Sequence, residues 1–331
     1  MRTALWMFRP NRCTALLFVA ATFAAVPLHS ACAEYPDRVI TIISCFPPGG
    51  ATDVSVRLIQ TKLGEALGKP VIIENRAGAG GSLGTAVVAR APGDGYTLLG
   101  CSSAFVVNPS LYAHVNYDPF KSFEPVMVLG ASPNVLVVPA QSNIKTIREF
   151  IAQAKTNPGK LNWTSPGTGT TGQLTGELLK EAAGINIVHI PYTGAGPATT
   201  AVLAGQVDMY AANLGSVTGL ISSGKVRPIA VTSKKRWPDL PDVPALDELG
   251  FNIPETDTFQ GLLAPAGTPK QIIDRLAKEL TAILAQPDIR AKYAKMGLPV
   301  TAEGPEAFRA RIAREVPLYK EIIDKAGLKI Q

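Results

Sequence analysis

The sequence predicts an α/β protein built as two lobes, each a mainly parallel sheet flanked by helices, joined by a crossover hinge. Three observations carry that expectation. Short runs rich in Val and Ile alternate with longer helical patterns, and the runs are continuously apolar, as strands buried on both faces are. The alternation occurs twice, on either side of a strand-like segment at 127–139. Setting aside a leader of 33 residues leaves 298 of the 331, more than one core usually organises.

The first series reads strand Val39–Ile43, helix Val54–Leu67, strand Val71–Ile73, helix Leu83–Ala91 and strand Tyr96–Leu99. Met127–Pro139 follows as two strand-like runs broken by the turn signal Ser132-Pro133-Asn134, which suits a hinge. The second series reads strand Val135–Val138, helix Thr146–Lys155, strand Leu161–Thr164, helix Gln173–Ala183 and strand Ile187–Ile190. It continues with helix Ala198–Leu203, strand Val207–Ala211, helix Leu214–Ser222 and strand Pro228–Val231. Beyond a Pro-rich stretch at 237–254 come strand Phe259–Ala264 and a helix opened by Pro269, in which Ile272, Leu276, Leu280 and Ile283 have helical spacing. Further amphipathic helices reach Ala326 and are expected to pack back on the first lobe. The first lobe then takes 34–137 plus 256–331, and the second takes 138–255.

The N-terminus has the grammar of a secretory leader. Arg2, Arg9 and Arg12 precede the apolar run Ala15–Val26, which ends at Ser30-Ala31-Cys32-Ala33. That run falls short of the roughly 20 residues a spanning helix needs, so cleavage after Ala33 and export to the periplasm are expected. Lipidation of Cys32 would need His29 to serve where Leu is usual. Cleavage removes three of the 32 basic residues and none of the 26 acids, leaving a net charge of +3. That balance is too mild to argue for nucleic acid, and the basic run Lys234-Lys235-Arg236 reads as a solvated loop. Cys45 and Cys101 remain in an oxidising compartment, each at the end of a predicted strand. They form a candidate disulfide if the strand ends are neighbours at the roughly 4.4–6.8 Å a bridge requires, and otherwise two buried thiols.

Two strand-to-helix loops have the chemistry of anion sites. The first is Phe46-Pro47-Pro48-Gly49-Gly50-Ala51-Thr52-Asp53, where glycine turns aim amides inward and Thr52 is a natural N-cap. A helix start of this kind offers free amides and about half a positive charge. The second is Ser165-Pro166-Gly167-Thr168-Gly169-Thr170-Thr171-Gly172-Gln173, again after a strand and before a helix. Ligands of open α/β sheets lie outside the carboxyl ends of strands, where both loops fall, so the pair could grip opposite ends of a dicarboxylate. Candidate ligand-binding residues are Phe46, Pro48, Gly49, Gly50, Ala51, Thr52, Asp53, Ser165, Gly167, Gly169, Thr170 and Thr171. Asn75, Ser102, Thr193 and Asp208 join them as polar residues near predicted strand ends. Asp53 and Asp208 would repel a carboxylate. Asp53 is explained as a dipole partner of its helix, and Asp208 either orients loops or meets a ligand ammonium group.

The glycine cluster Gly78–Gly84 departs from the dinucleotide fingerprint at Leu83 and is expected to position Asn75 and shape the cleft floor. Catalytic signatures are thin. His114 and His189 are the histidines beyond the leader, His189 sits in an apolar strand, and neither a G-x-S-x-G elbow nor a metal-ligand spacing occurs. No cofactor is expected.

With the loops read, the chain resembles the substrate-binding receptors of tripartite tricarboxylate transporters, the Bug family. The resemblance rests on the order and spacing of Tyr35-Pro36, Phe46–Asp53, Glu74-Asn75-Arg76 with Gly78–Gly84, Pro92–Leu99, Asn108-Pro109-Ser110-Leu111-Tyr112, Tyr117–Phe120, Gly205–Asp208, Ala230–Arg236, Leu240–Pro244 and Gly261–Pro269. It implies a fold like type II periplasmic binding proteins, and a small carboxylate held by the loops Phe46–Asp53 and Ser165–Gln173, partly through ordered waters. It also implies delivery by a monomeric receptor to the permease subunits of a membrane transporter. The chain departs from the family where Gln173 stands for a common His, Ala212 for Asp, and Phe259-Gln260 for Trp-Phe; Cys45 and Cys101 are also untypical. Losing an acid at 212 favours a plain or hydroxylated carboxylate over an amino acid. Two rival classes remain at this point, a sensor that signals through a membrane kinase and a periplasmic enzyme on the same lobes.

Overall fold

The computed structural model describes residues 35–254 and 256–329. The leader, its cleavage site and Cys32 lie outside the described residues.

Continuously apolar segments become strands, and each glycine- or threonine-marked loop after them opens a helix. The first half runs β1 (Ile40–Ser44), α1 (Ala51–Leu67), β2 (Val71–Asn75), α2 (Ser82–Ala89), β3 (Thr97–Ser102), α3 (Ala104–Leu111) and the 17-residue β4 (Phe123–Pro139). The second half runs α4 (Ile147–Thr156), β5 (Asn162–Ser165), α5 (Thr171–Ala183), β6 (Val188–Pro191), α6 (Ala195–Leu203), β7 (Met209–Asn213), α7 (Leu214–Ser222) and β8 (Val226–Val231). The chain then returns through β9 (Asp257–Pro265), α8 (Lys270–Leu284), α9 (Pro287–Lys295), β10 (Val300–Glu303) and α10 (Pro305–Ala326).

β4 is the spine. Its residues 123–133 pair with β9 and 134–139 with β7 and β8, and β10 joins its first half. One end of the sheet is therefore β2-β1-β3-β9-β4 and the other β4-β7-β5-β6. The β1, β2, β3 pairings and the β5, β6, β7 pairings are parallel, as read from the sequence. β9 and β4 run antiparallel to their neighbours because they carry the chain out of one half and back into it.

The expected break at Ser132-Pro133-Asn134 does not occur. Pro133 is the last residue paired with β9 and Asn134 the first paired with β7, so the turn-like triplet stands where one ladder gives way to the next. Asn134 is fully buried and knots this changeover. Its Nδ2 donates to Thr256 O at 2.7 Å and Thr175 Oγ1 at 3.1 Å, and its own amide donates to Thr232 Oγ1 at 3.0 Å.

Each half is covered on both faces. α1 and α8 bury Ile59, Leu63, Leu276 and Leu280 on one face of the first half, and α3 and α10 bury Phe105, Leu111, Phe308 and Tyr319 on the other. In the second half α4 and α5 enclose Trp163, and α6 and α7 enclose Tyr210. Leu174 and Leu178 of α5 belong to the core of the first half, so the halves touch through packed apolar side chains. α10 is fastened to β9 and its own surroundings by Arg311, which donates to Asp257 at 2.9 Å, Glu303 at 2.7 Å and Glu315 at 2.7 Å.

The candidate disulfide is absent: Cys45 and Cys101 are both free and buried. β1 and β3 do bring them side by side, with the Cys45 amide donating to Gly100 O at 3.3 Å. Burial pushes the Cys45 thiol up to about 12 and the Cys101 thiol well above its ordinary value, which withholds the thiolate that disulfide formation requires.

Candidate functional site

The carboxyl ends of β1, β3, β5 and β6 open into α1, α3, α5 and α6, so several helix starts gather at one end of the strands. The first loop is rigid by construction. Gly49 adopts φ +79°, and the helix begins with Gly50 as N-cap, with no side-chain cap. Thr52 is therefore inside the first turn and does not cap it. The reason is Asp53, whose carboxylate reaches back to accept the Gly49 amide at 2.9 Å and takes over that role. The amides of Ala51, Thr52 and Asp53 open the helix and have no intrahelical acceptor.

Asp53 is 2% exposed and fully engaged: Arg57 Nε donates to it at 2.9 Å and Asn75 Nδ2 at 2.8 Å. Burial alone would raise its pKa, but these donors hold the carboxyl below the ordinary value. Asn75 also donates to Phe46 O at 3.0 Å, and Arg57 Nη2 donates to Asn75 Oδ1 at 3.1 Å. Asp53, Arg57 and Asn75 thus form a brace under the loop, and the guanidinium charge is committed to Asp53. Thr52, 3% exposed, donates to Gln260 Oε1 of β9 at 2.7 Å.

The second loop is held by a capping box, Thr170-x-x-Gln173. Thr170 Oγ1 accepts from the Gln173 amide at 3.4 Å and donates to Gly167 O at 2.7 Å, while the Gly169 amide donates to Gln173 Oε1 at 2.9 Å. A backbone N–H can only donate, so the Gln173 oxygen faces Gly169. The Gln173 amide nitrogen is therefore turned away from Gly169. Gly167 has φ +141°, and a Cβ there would lie 2.6 Å from Tyr192 O, so only glycine fits. Ser165 is fully buried, donates to Gly167 O at 3.2 Å, and lies 2.9 Å from His189 Nε2. His189 stacks on Trp163 with centroids 4.2 Å apart, and burial lowers its pKa to about 4. It is a hydrogen-bonded histidine behind the loop.

The two loops are linked through β9, where Thr52 bonds Gln260 and Thr171 bonds Thr258, and the second loop packs on α3. Gly169 lies against this helix so closely that a Cβ on it would come 2.7 Å from Leu111 Cδ2 and 3.1 Å from Asn108 Oδ1. Thr171 turns toward the changeover, bonding Thr258 and donating to Asn134 Oδ1 at 3.3 Å. Ser102 Oγ accepts from the Ala104 amide at 3.3 Å at the start of α3, and Thr193 is exposed between β6 and α6. Asp208 is not brought to this place. It precedes β7 and exchanges hydrogen bonds of 2.8 and 2.9 Å with Asn162 at the amino end of β5, the opposite end of the strands from the loops. Asn108, Gln173 and Gln260 are the polar residues of the joint that were not singled out as binding residues. The T-x-x-Q spacing at 170–173 is a readable signal for Gln173. Nothing local marks Gln260, which meets Thr52 across 208 positions.

Among the described residues no cluster of His, Cys, Asp and Glu is arranged to hold a metal, and no helix is long and apolar enough to cross a membrane. Two surface hollows, one between α1 and β2 and one beside α7 and Trp237, do not touch the loops.

Two α/β halves joined through one spine strand, each with a glycine-marked helix start bonded to β9, define a two-lobed solute-binding protein. Solved structures of that class superpose on it. The periplasmic binding protein BugD matches with a TM-score of 0.79 and 37% identity, covering 90% of this chain and 100% of that one. A Rhodopseudomonas palustris protein solved with adipate matches with a TM-score of 0.82 and 31% identity, covering 89% and 99%. MatC from Rhodopseudomonas palustris, with bound malate, matches with a TM-score of 0.77 and 30% identity, covering 87% and 100%. Residues 55–328 match the tripartite tricarboxylate transporter family receptor, and the chain belongs to that family. Its members and neighbours are substrate-binding proteins rather than enzymes.

Proposed function

We propose that this chain is a periplasmic receptor that captures a small carboxylate between the loops Phe46–Asp53 and Ser165–Gln173 and delivers it, as a monomer, to the permease subunits of a tripartite transporter. The observation that carries the reading is the tie of both loops to β9, Thr52 to Gln260 and Thr171 to Thr258, with helix-start amides in each loop and Gln173 Nε2 in the second. We assign the first lobe to 34–137 plus 256–331 and the second to 138–255, although β4 changes its partners a little earlier, between Pro133 and Asn134. A leader cleaved after Ala33 would place the protein in the periplasm, as the BugD description does for that relative.

The anion would be held by helix-start amides of Ala51, Thr52 and Asp53 on one side and of Thr171 and Gly172 on the other. Charge-assisted hydrogen bonds contribute about 1.5–3 kcal/mol each, so two or three account for a micromolar complex near about −8 kcal/mol once association costs are met. A ligand that bridges both lobes favours the closed form by its differential affinity. The relatives' ligands include a hydroxylated diacid, malate, and a bare one, adipate. The test is calorimetric titration of the mature, refolded protein with mono-, di- and tricarboxylates, aromatic acids and amino acids. Saturable binding of a carboxylate with no consumption of it supports the reading. Silence across the panel, or turnover of the bound acid, overturns it.

A further inference from the structure

Asn108 leaves one hydrogen-bonding atom unaccounted for where α3 meets the second loop. Its Nδ2 donates to Gly80 O at 2.8 Å and to Ser82 Oγ at 3.0 Å. A carbonyl can only accept, so the amide nitrogen must face Gly80, and the orientation of the side chain is fixed. Its Oδ1 is then turned away from that partner. The residue is 1% exposed, and Oδ1 is buried with no hydrogen-bond partner.

The other buried side-chain atoms without a partner among the described residues are Trp163 Nε1, Tyr210 Oη, Glu315 Oε2 and Tyr319 Oη. Those sit in the cores or along α10; Asn108 Oδ1 alone lies between the Gly78–Gly84 cluster and the second loop. Glycine backbone lines it on two sides. A Cβ on Gly80 would lie 3.5 Å from Oδ1 and a Cβ on Gly169 3.1 Å, and both residues hold positive φ, +60° and +82°. A lone acceptor lined by glycine backbone, beside the loop that opens α5, is complementary to a donor.

Resting on the receptor reading above, we propose that Asn108 is a specificity-determining residue whose Oδ1 accepts a hydrogen bond from a hydroxyl or ammonium group on the ligand's carbon chain. A bare acid would strand this acceptor when the lobes close. The ligand class is then a hydroxy- or amino-carboxylate, not an unsubstituted acid.

The test is titration of the wild-type mature protein with matched acids: L-malate and L-aspartate against succinate, and mandelate against phenylacetate. The donor-bearing member of at least one pair is expected to bind about 10- to 100-fold tighter, the cost of leaving one buried acceptor unpaired. The malate and aspartate arms tell a hydroxyl from an ammonium group. In Asn108→Ala that preference is expected to collapse, with circular dichroism to confirm the fold. Where the variant does not fold, the wild-type ratio decides alone. Equal affinity for both members of every pair that binds would show that water satisfies Oδ1 and would overturn the proposal while the carboxylate site stands. A preference that survives Asn108→Ala would overturn it too. If no acid binds, the receptor reading fails and takes this proposal with it.

Discussion

Gly169→Ala separates closure from folding. The substitution has two costs of different kinds. The first is conformational: φ is +82°, and an L-residue in that region costs about 1–2 kcal/mol wherever the lobes stand. The second is steric. The new Cβ would lie 2.7 Å from Leu111 Cδ2 and 3.1 Å from Asn108 Oδ1, both on α3 of the other lobe. Leu111 is fully buried, so its end has little room, but a side-chain end yields more readily than backbone. The overpacking term therefore belongs at the lower part of its range, about 1–2 kcal/mol. Opening the lobes relieves that contact, so the steric cost falls on the closed form only. Ligand affinity, measured by calorimetry, is expected to drop about 5- to 30-fold, while the unfolding free energy in urea falls only by the conformational part. Unchanged affinity in a folded variant would refute both the closed joint and the role of α3 in it.

Other perturbations reach the same elements separately. Thr170→Ala removes the cap of α5 and the bond to Gly167 O; it is expected to cost about 1 kcal/mol of stability and to weaken ligand binding, read by urea titration and calorimetry. Burial depresses the His189 pKa from 6.5 to about 4, so the unfolded chain binds the proton first, and His189 contributes stability that is present above pH 6.5 and is lost as pH falls toward 4. The difference between wild type and His189→Gln in denaturant midpoint across that range isolates it from Glu315, whose carboxyl burial pushes up to about 7 with the opposite tilt. Cys45 and Cys101 are expected to resist iodoacetamide in the folded protein and to react as two thiols on unfolding, with mass spectrometry counting the adducts.

Much of the fold was legible because buried strands such as Ile40–Ser44 and Val135–Val138 are mostly apolar, with Val and Ile predominating, and helices such as α8 repeat their apolar residues at helical spacing. What escaped depends on contacts distant in sequence. Ser132-Pro133-Asn134 carries a turn signal, yet the strand continues because β9 and β7 take over the pairing on either side. α3 is short, contains Pro109 and shows no helical periodicity, so its type is set by packing on α10. The loops themselves were visible from glycine, threonine and strand position. The start of α1 was placed three residues late because the residue that completes it, Asp53, reaches backward, and a carboxylate there also reads as a dipole partner. Asp208 was drawn toward the site by its place beside a strand, but the direction of β7 puts it at the amino end.

The charge bookkeeping of the joint has a consequence for closure. Arg57 is tied to Asp53, so the donors left to an anion are neutral: helix-start amides and Gln173. A ligand resting on the first loop in the open form gains the second helix start only on closing, worth at most about 2 kcal/mol, or roughly 30-fold. Driving a two-state equilibrium from 1:99 to 99:1 takes about 5.5 kcal/mol of differential affinity. The shortfall is about the size of one charge-assisted hydrogen bond from Gln173 together with the relief of the stranded Asn108 acceptor. The helix starts would therefore admit many anions, while the neutral polar side chains on α3 and α5 decide which of them can close the molecule.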